Sequence, residues 1–260
     1  MGDSAKWALI LGGSSGLGLA TAQKLAGKGF NLILIHRDRR TNMPSVQEAF
    51  QEIVSNGAVV HSFNKDAVDA ASREGVVEEI KSLLGGAKIS VLVHSIAKGN
   101  VKPMWDVQEG ALSNKDFQLT IDAMAISLYG WVKVLYQTQL FNQDARVIAF
   151  TSEGSTRALR NYAAVGAAKA ALESITRSIA LEFAPFGIKA NCIQAGVTDT
   201  PSLRLIPNSE KLIKQSIRRN PNQRLTTPKD VANAAYLLTT KEALWITGTV
   251  IKVDGGESLQ

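Results

Sequence analysis

Seven short apolar runs punctuate the chain, at Ala8–Leu11, Leu32–Ile35, Ala58–Phe63, Ser90–Val93, Val147–Phe150, Lys189–Ile193 and Thr249–Val253. None alternates strictly between apolar and polar positions, which is how strands buried on both faces read. Between most of them lie stretches of roughly 10 to 20 residues whose apolar positions recur at helical spacing. The clearest helix is Tyr162–Glu182, rich in alanine and apolar at Ala168, Leu172, Ile175 and Ile179; a second spans Asp116–Leu140. Strand and helix alternate without a long polar linker, so the pattern predicts one parallel sheet covered by helices on both faces, a single α/β Rossmann-like domain over residues 1–260. The least regular stretches, 98–115 and 197–227, each follow a predicted strand, where open α/β sheets bind ligands. They are the expected walls of a substrate site.

Composition narrows the class. With 45% hydrophobic and 20% charged residues among 260, the chain reads as a globular protein able to bury a sizeable core. Its formal charge of +6 favours acidic partners. Basic residues are spread along the chain with no RNP-like, zinc-finger or basic-helix pattern, so nucleic acid is not an expected partner. The lone Cys192 excludes an intrachain disulfide and a multi-cysteine zinc site, and it reads as core filler in a reducing compartment. Near the start only Trp7–Leu11 is continuously apolar, too short for a secretory or membrane-spanning segment. Lys6 stands where a myristoylation signal on Gly2 wants Ser or Thr. The expectation is a cytoplasmic protein with no stable membrane insertion and no bound metal.

The first strand runs into Gly12, Gly13, Ser14, Ser15, Gly16, Leu17 and Gly18, and then a helix over Leu19–Leu25. A Gly-x-x-x-Gly-x-Gly turn between a strand and a helix suits a dinucleotide. Gly12 makes the tight turn, Gly16 lets the backbone approach a pyrophosphate at the positive helix end, and Gly18 lets the helix press inward. After the second strand, His36 replaces the acid that an NAD site uses for the ribose 2′-hydroxyl, and Arg37, Asp38, Arg39 and Arg40 follow. Arginine binds a 2′-phosphate in a bidentate fork, so the cluster favours NADP, although Asp38 retains the capacity to hold a 2′-hydroxyl. Asp66, beyond the third strand, either accepts from the adenine amino group or caps the helix starting near Val68.

Tyr162 and Lys169 are seven residues apart. Along a helix that is about 700°, so both side chains face one way, about 10 Å apart. A phenol donates to an oxygen gaining negative charge, and a nearby ammonium fixes a ribose and lowers the phenol pKa. Ser152, just after the fifth strand, is placed to reach the same oxygen. Glu153 beside it is an unusual carboxylate for such a site, readable as turned to solvent, and Asp122 lies inside the second long helix, where a buried acid orders water or holds backbone.

These residues resemble the short-chain dehydrogenase/reductase family over essentially the whole chain. The resemblance rests on Leu11–Gly18, with Leu11 in place of the family threonine, on Gly187–Thr200, and on the terminal Val253–Gly256. Two departures from ordinary members point to its enoyl-acyl-carrier-protein reductase branch. The tyrosine stands seven rather than four residues before the lysine, where an ordinary member would place Val165. The segment Val93-His94-Ser95-Ile96-Ala97 is similar to that branch's Val-His-Ser-Ile-Gly. Ser152 stands where many enoyl reductases carry a second tyrosine, so the pattern sits nearest the NADPH-using variety that lacks it.

The resemblance implies hydride transfer from NADPH to C3 of a trans-2-enoyl thioester on acyl carrier protein or CoA, as in fatty acid biosynthesis. Tyr162, Lys169 and Ser152 are the implied catalytic residues. Cofactor contacts are implied for Gly12, Ser14, Ser15, Gly16, Leu17, Gly18, Arg37, Asp66, Ser95, Ile96, Ala97, Lys169, Val197, Thr198 and Thr200. Segment 197–227 corresponds to a substrate lid. Its Leu203, Leu205, Ile206, Leu212, Ile213 and Ile217 are placed to line an acyl slot, and its Arg204, Lys211, Lys214, Arg218 and Arg219 to meet an acidic carrier. A homotetramer through the two long helices is also implied. The rival readings are a 3-oxoacyl thioester or other carbonyl reductase of the same family, and a nonenzymatic NADP-binding protein.

Overall fold

In the computed structural model, which describes residues 6–106, 110–206 and 209–260, seven parallel strands form one sheet. In chain order the elements are β1 (Lys6–Leu11), α1 (Gly16–Ala26), β2 (Phe30–His36), α2 (Met43–Ser55), β3 (Val60–Asn64), α3 (Ala70–Leu84), β4 (Ile89–His94), α4 (Asn114–Ile121), α5 (Ser127–Gln137), β5 (Phe141–Ser152), α6 (Ala163–Glu182), β6 (Ile188–Ala195), α7 (Pro201–Arg204), α8 (Ser209–Arg219), α9 (Pro228–Leu237) and β7 (Val250–Val253). The sheet order is β3-β2-β1-β4-β5-β6-β7. Strand order therefore reverses between β1 and β4, and that crevice at the carboxyl ends of the strands is where such sheets bind ligands. Positions 1–5, with Gly2, lie outside the described residues, as do 107–109 in the first irregular stretch and 207–208 in the lid.

Each central strand buries both faces. Along β1, Trp7, Leu9 and Leu11 pack with Val76, Ile80, Trp131, Leu135, Leu172 and Ile179 from α3, α5 and α6. Ala8 and Ile10 face Ala22, Leu25, Val46, Phe50, Ile53 and Val231 from α1, α2 and α9. Complete burial of such side chains stabilises the fold by about 1.5–3 kcal/mol each. Trp131 is fully buried and still satisfies its indole, donating to the Ala67 carbonyl at 2.8 Å. Cys192 is buried as read from sequence, and burial pushes its thiol pKa up to about 11.

Three elements differ from the sequence reading. The fifth strand begins at Phe141, because the polar Asn142, Gln143 and Asp144 extend it without adding to the apolar run. The helix expected over Asp116–Leu140 is α4 and α5 joined through a wider π turn, Asp122–Ile126. Asp122 opens that turn and is exposed, so it is not a buried acid. The helix after β3 is capped by Asp69, whose side chain accepts from Ser72 N at 2.7 Å, while Asp66 instead accepts from Val68 N at 3.0 Å.

Candidate active site

The nucleotide loop emerges from β1 with its glycines close-packed. Gly12 has φ +83°, and a Cβ there would lie 2.4 Å from the Ser95 carbonyl oxygen, so the loop rests on the segment leaving β4. Gly18 supports the loop rather than a strand, since its Cβ would fall 2.0 Å from the Gly12 carbonyl oxygen. Gly16, at φ +53°, opens α1, and Ser15 at the N-cap makes no side-chain capping bond. The first N–H groups of α1 therefore remain available to an anion beside a loop with no room for a side chain at Gly12 or Gly18. These features fit a pyrophosphate, and Ser14, Ser15 and Leu17 lie on the same turn. Ser95 N donates to the Leu11 carbonyl at 2.9 Å, which places Ser95, Ile96 and Ala97 directly beside it.

At the end of β2, His36 is buried and its Nδ1 lies 2.8 Å from Asp38 Oδ2. Asn64 bonds both Asp38 N and Asp38 O at 3.0 Å. This acid is thus held toward His36 rather than left free for a ribose. Arg37 reaches Asp66 Oδ2 at 2.8 Å, and Lys98 reaches the same atom at 3.3 Å. Partial burial works against ionisation of Asp66, but the Val68 N–H with Lys98 and Arg37 outweighs it and lowers the pKa. Two cations on one carboxylate leave excess positive charge at the mouth of the crevice, and exposed Arg39 and Arg40 add to it.

Tyr162 stands just outside α6, as its N-cap, with φ −117° and ψ 7°. The preceding Asn161 adopts φ +61°. That turn aims the phenol at the end of β5, where its oxygen lies 3.3 Å from Ser152 Oγ. Lys169 is buried and donates from Nζ to the Phe150 carbonyl at 2.8 Å. The phenol and the ammonium are therefore tied to strand positions two residues apart, a separation of about 7 Å along β5. Burial pushes the Lys169 pKa down to about 8, against the raising influence of Cys192 and Glu173. The expected lowering of the phenol pKa by Lys169 is not found. Burial raises it, and the Ser152 hydrogen bond only partly opposes this, so Tyr162 is a neutral donor at neutral pH.

Around this centre the structure adds partners that no local motif announces. His94, fully buried, sets Nε2 2.8 Å from Ser127 Oγ, and burial together with the Lys169 charge pushes its pKa down to about 3. Glu153 does not turn to solvent. Its carboxylate takes Arg219 at 2.8 and 2.9 Å and Arg157 at 2.8 Å. Partial burial opposes its ionisation, but the two guanidinium groups prevail and lower its pKa. Arg219 also donates to the carbonyls of Glu257 at 3.1 Å and Gln260 at 3.1 Å, so α8 is laced to the chain's last described turn and to the loop after Ser152.

On the remaining wall, Val197 N donates to Glu257 Oε2 at 3.0 Å. Thr198 Oγ1 donates to Gly196 O at 2.9 Å, which leaves the hydroxyl oxygen able to accept from a carboxamide NH₂. Thr200 caps α7 by accepting from Leu203 N at 3.3 Å, and its methyl lies beside Gly16. In the lid, Leu203 is buried and Leu205 is 81% exposed, while Ile206, Leu212, Ile213 and Ile217 are half-buried. Arg204 is paired with Asp199, Arg219 with Glu153 and Arg224 with Asp230, while Lys211, Lys214 and Arg218 are exposed. Those three lie on one exposed face of α8.

Comparison with known proteins follows the same outline. A family model described as Enoyl-(Acyl carrier protein) reductase matches residues 12–258. A 1-cyclohexenylcarbonyl-CoA reductase of Streptomyces collinus is 27% identical over 259 residues, covering 99% of this chain and 88% of that protein. The solved enoyl-[acyl-carrier-protein] reductase (NADH) of Aquifex aeolicus VF5 superposes with a TM-score of 0.83 at 24% identity, covering 98% of this chain and 97% of its own. YwfH, an NADPH dependent reductase involved in bacilysin biosynthesis, gives a TM-score of 0.84 at 24% identity over 98% of both chains. The two structures establish the shared fold.

Proposed function

Because this chain belongs to the short-chain dehydrogenase/reductase family, we propose that it reduces the trans-2 double bond of an enoyl thioester, carried on acyl carrier protein or CoA, with NADPH as cofactor. Oxidoreductase character comes with the family. The finer reading is carried by Tyr162, which stands seven residues before Lys169 and still presents its phenol 3.3 Å from Ser152. The Streptomyces collinus relative, named for reducing a cyclohexenylcarbonyl-CoA, supports it.

NADPH, when held by the Gly12–Gly18 loop, would supply the hydride for C3 of the substrate. Tyr162 donates a hydrogen bond to the thioester carbonyl oxygen, and this bond strengthens as the enolate forms, because a neutral phenol in a partly desolvated site is preorganised for that charge. Ser152 steadies the phenol oxygen. Lys169 spends one of its three donors on Phe150 and keeps two for ribose hydroxyls. Arg37, now on Asp66, is placed to turn onto a 2′-phosphate, with Lys98 left to hold the carboxylate. A proton from solvent water would then be taken up at C2, converting the enolate to the saturated thioester.

Segment 197–227 forms the lid over the acyl group, and Lys211, Lys214 and Arg218 face the acidic carrier. Self-association is supported by a seam along α5 and the residue before it. There Ile126, Tyr129 and Tyr136 remain 36–47% exposed at spacings of three and seven residues. That is the period of a helix-pairing stripe, consistent with a homotetramer. A carbonyl-reducing role on 3-oxoacyl thioesters is the second reading, favoured by Ser152 itself, since a serine hydroxyl beside a phenol polarises a ketone equally well. The product formed from a trans-2-enoyl thioester offered with NADPH tests the proposal: a saturated acyl thioester supports it.

A further inference from the structure

Gly154 lies in the tight turn Glu153–Ser155 after β5, and its backbone does not need glycine. Its φ is outside the left-handed region that glycine favours. The reason for glycine is contact. A Cβ at this position would lie 2.5 Å from Cε1 and 2.7 Å from Cδ1 of Tyr162, and 3.5 Å from Ser152 Oγ. Carbon atoms rest about 3.5–4.0 Å apart, so even one methyl group forces the ring back by about 1 Å. Gly166 repeats the device from the other side. A Cβ there would lie 2.7 Å from the Gly154 carbonyl oxygen, and Gly166 N donates to Tyr162 O at 2.7 Å. The first turn of α6 is thus seated on the Glu153–Ser155 turn at backbone distance, with the tyrosine ring packed against Gly154 beside that contact.

We propose that Gly154 is a positioning residue for Tyr162: its bare backbone sets where the phenol stands relative to Ser152, and hence relative to the substrate carbonyl. The proposal rests on the reading of Tyr162 as the enolate-stabilising donor. Ring contact, the Gly154–Gly166 approach and the positive φ of Asn161 all constrain the same side chain from different directions. A displacement of about 1 Å at the reacting centre costs a substantial part of the rate while leaving nucleotide contacts intact.

The test is a double-mutant cycle of Gly154→Ala and Tyr162→Phe, assayed with crotonyl thioester and NADPH. The readouts are kcat, the KM for both substrates, NADPH Kd by fluorescence and Tm. Gly154→Ala is expected to lower kcat at least about tenfold, with NADPH Kd within about twofold and Tm within a few degrees of the parent. The double variant is expected to be no slower than Tyr162→Phe alone, because the methyl group acts only through the phenol. A parent-like kcat for Gly154→Ala overturns the proposal, as does the same fold-loss added on top of Tyr162→Phe, or a loss explained by weaker NADPH binding. If Tyr162→Phe itself retains full activity, the functional reading fails. The placement claim is then decided by a crystal structure of Gly154→Ala, in which the 3.3 Å phenol–Ser152 contact must open beyond hydrogen-bond reach and its persistence overturns the claim. Should Gly154→Ala not fold, Gly166→Ala carries the same comparison through the Gly154 carbonyl.

Discussion

The phenol oxygen of Tyr162 meets the hydroxyl of Ser152 at 3.3 Å, although the tyrosine lies outside the helix that carries Lys169. Both oxygens sit at the carboxyl end of β5, where, under the proposed function, an incoming thioester carbonyl would find two donors. Replacing Tyr162 with Phe keeps the ring and removes the donor. Turnover is expected to fall at least about tenfold, or ~1.4 kcal/mol of transition-state stabilisation, with NADPH affinity preserved. Steady-state kinetics and a nucleotide titration check both halves. Unchanged turnover removes Tyr162 from the reaction.

Lys169 sets the alkaline behaviour. With its pKa pushed down to about 8, the side chain is an ammonium below that pH and a neutral amine above it. The protonated form supplies the charge and the full set of donors for a ribose. The profile of kcat/KM, which reports the free enzyme, is therefore expected to fall above about pH 8. Lys169→Arg stays charged throughout, so whatever activity it keeps should lose that limb. A parent profile flat to pH 10 contradicts the assignment.

Glu153 and Arg219 join the lid helix to the loop after Ser152 through side chains only 19% and 17% exposed. Arg219→Ala leaves the partly buried Glu153 carboxylate with Arg157 alone and removes the donors to the Glu257 and Gln260 carbonyls, and a loss of roughly 1 kcal/mol is expected, read as a Tm lowered by a few degrees. The acid response has a definite sign. The folded pKa of Glu153 lies below its ordinary value, so the contribution is complete above the unfolded pKa and lost as pH falls through the lowered one. Tm measured against pH should show the parent losing this increment in acid and Arg219→Ala losing a smaller one, because Arg157 still holds Glu153.

Arg37 tests the nucleotide preference. Arg37→Ala is expected to weaken NADPH much more than NADH, because only the former carries the 2′-phosphate. Paired Kd measurements decide this, and equal losses count against the contact.

Much of this architecture is legible along the chain because its causes are local. Gly12 and Gly18 announce a turn with no room for a side chain, and seven apolar runs mark strands buried on both faces. The Tyr162–Lys169 spacing is equally plain. What the chain hides depends on distant partners or on helix phase. Glu153 finds Arg219 across 66 positions, and Val197 N finds Glu257 across 60. Asp122 comes to the surface because it continues the exposed stripe of Lys115, Gln118 and Leu119 along α4. The phenol pKa follows burial, which spacing does not report.

The most direct test of enoyl reduction is a competition between crotonyl and acetoacetyl thioesters, each on CoA and on acyl carrier protein, with NADPH consumption followed and products identified by mass. The account predicts that NADPH is consumed with the crotonyl thioester and that a butyryl thioester accumulates. Exclusive formation of the 3-hydroxybutyryl thioester from the acetoacetyl substrate, with the crotonyl thioester untouched, would contradict it.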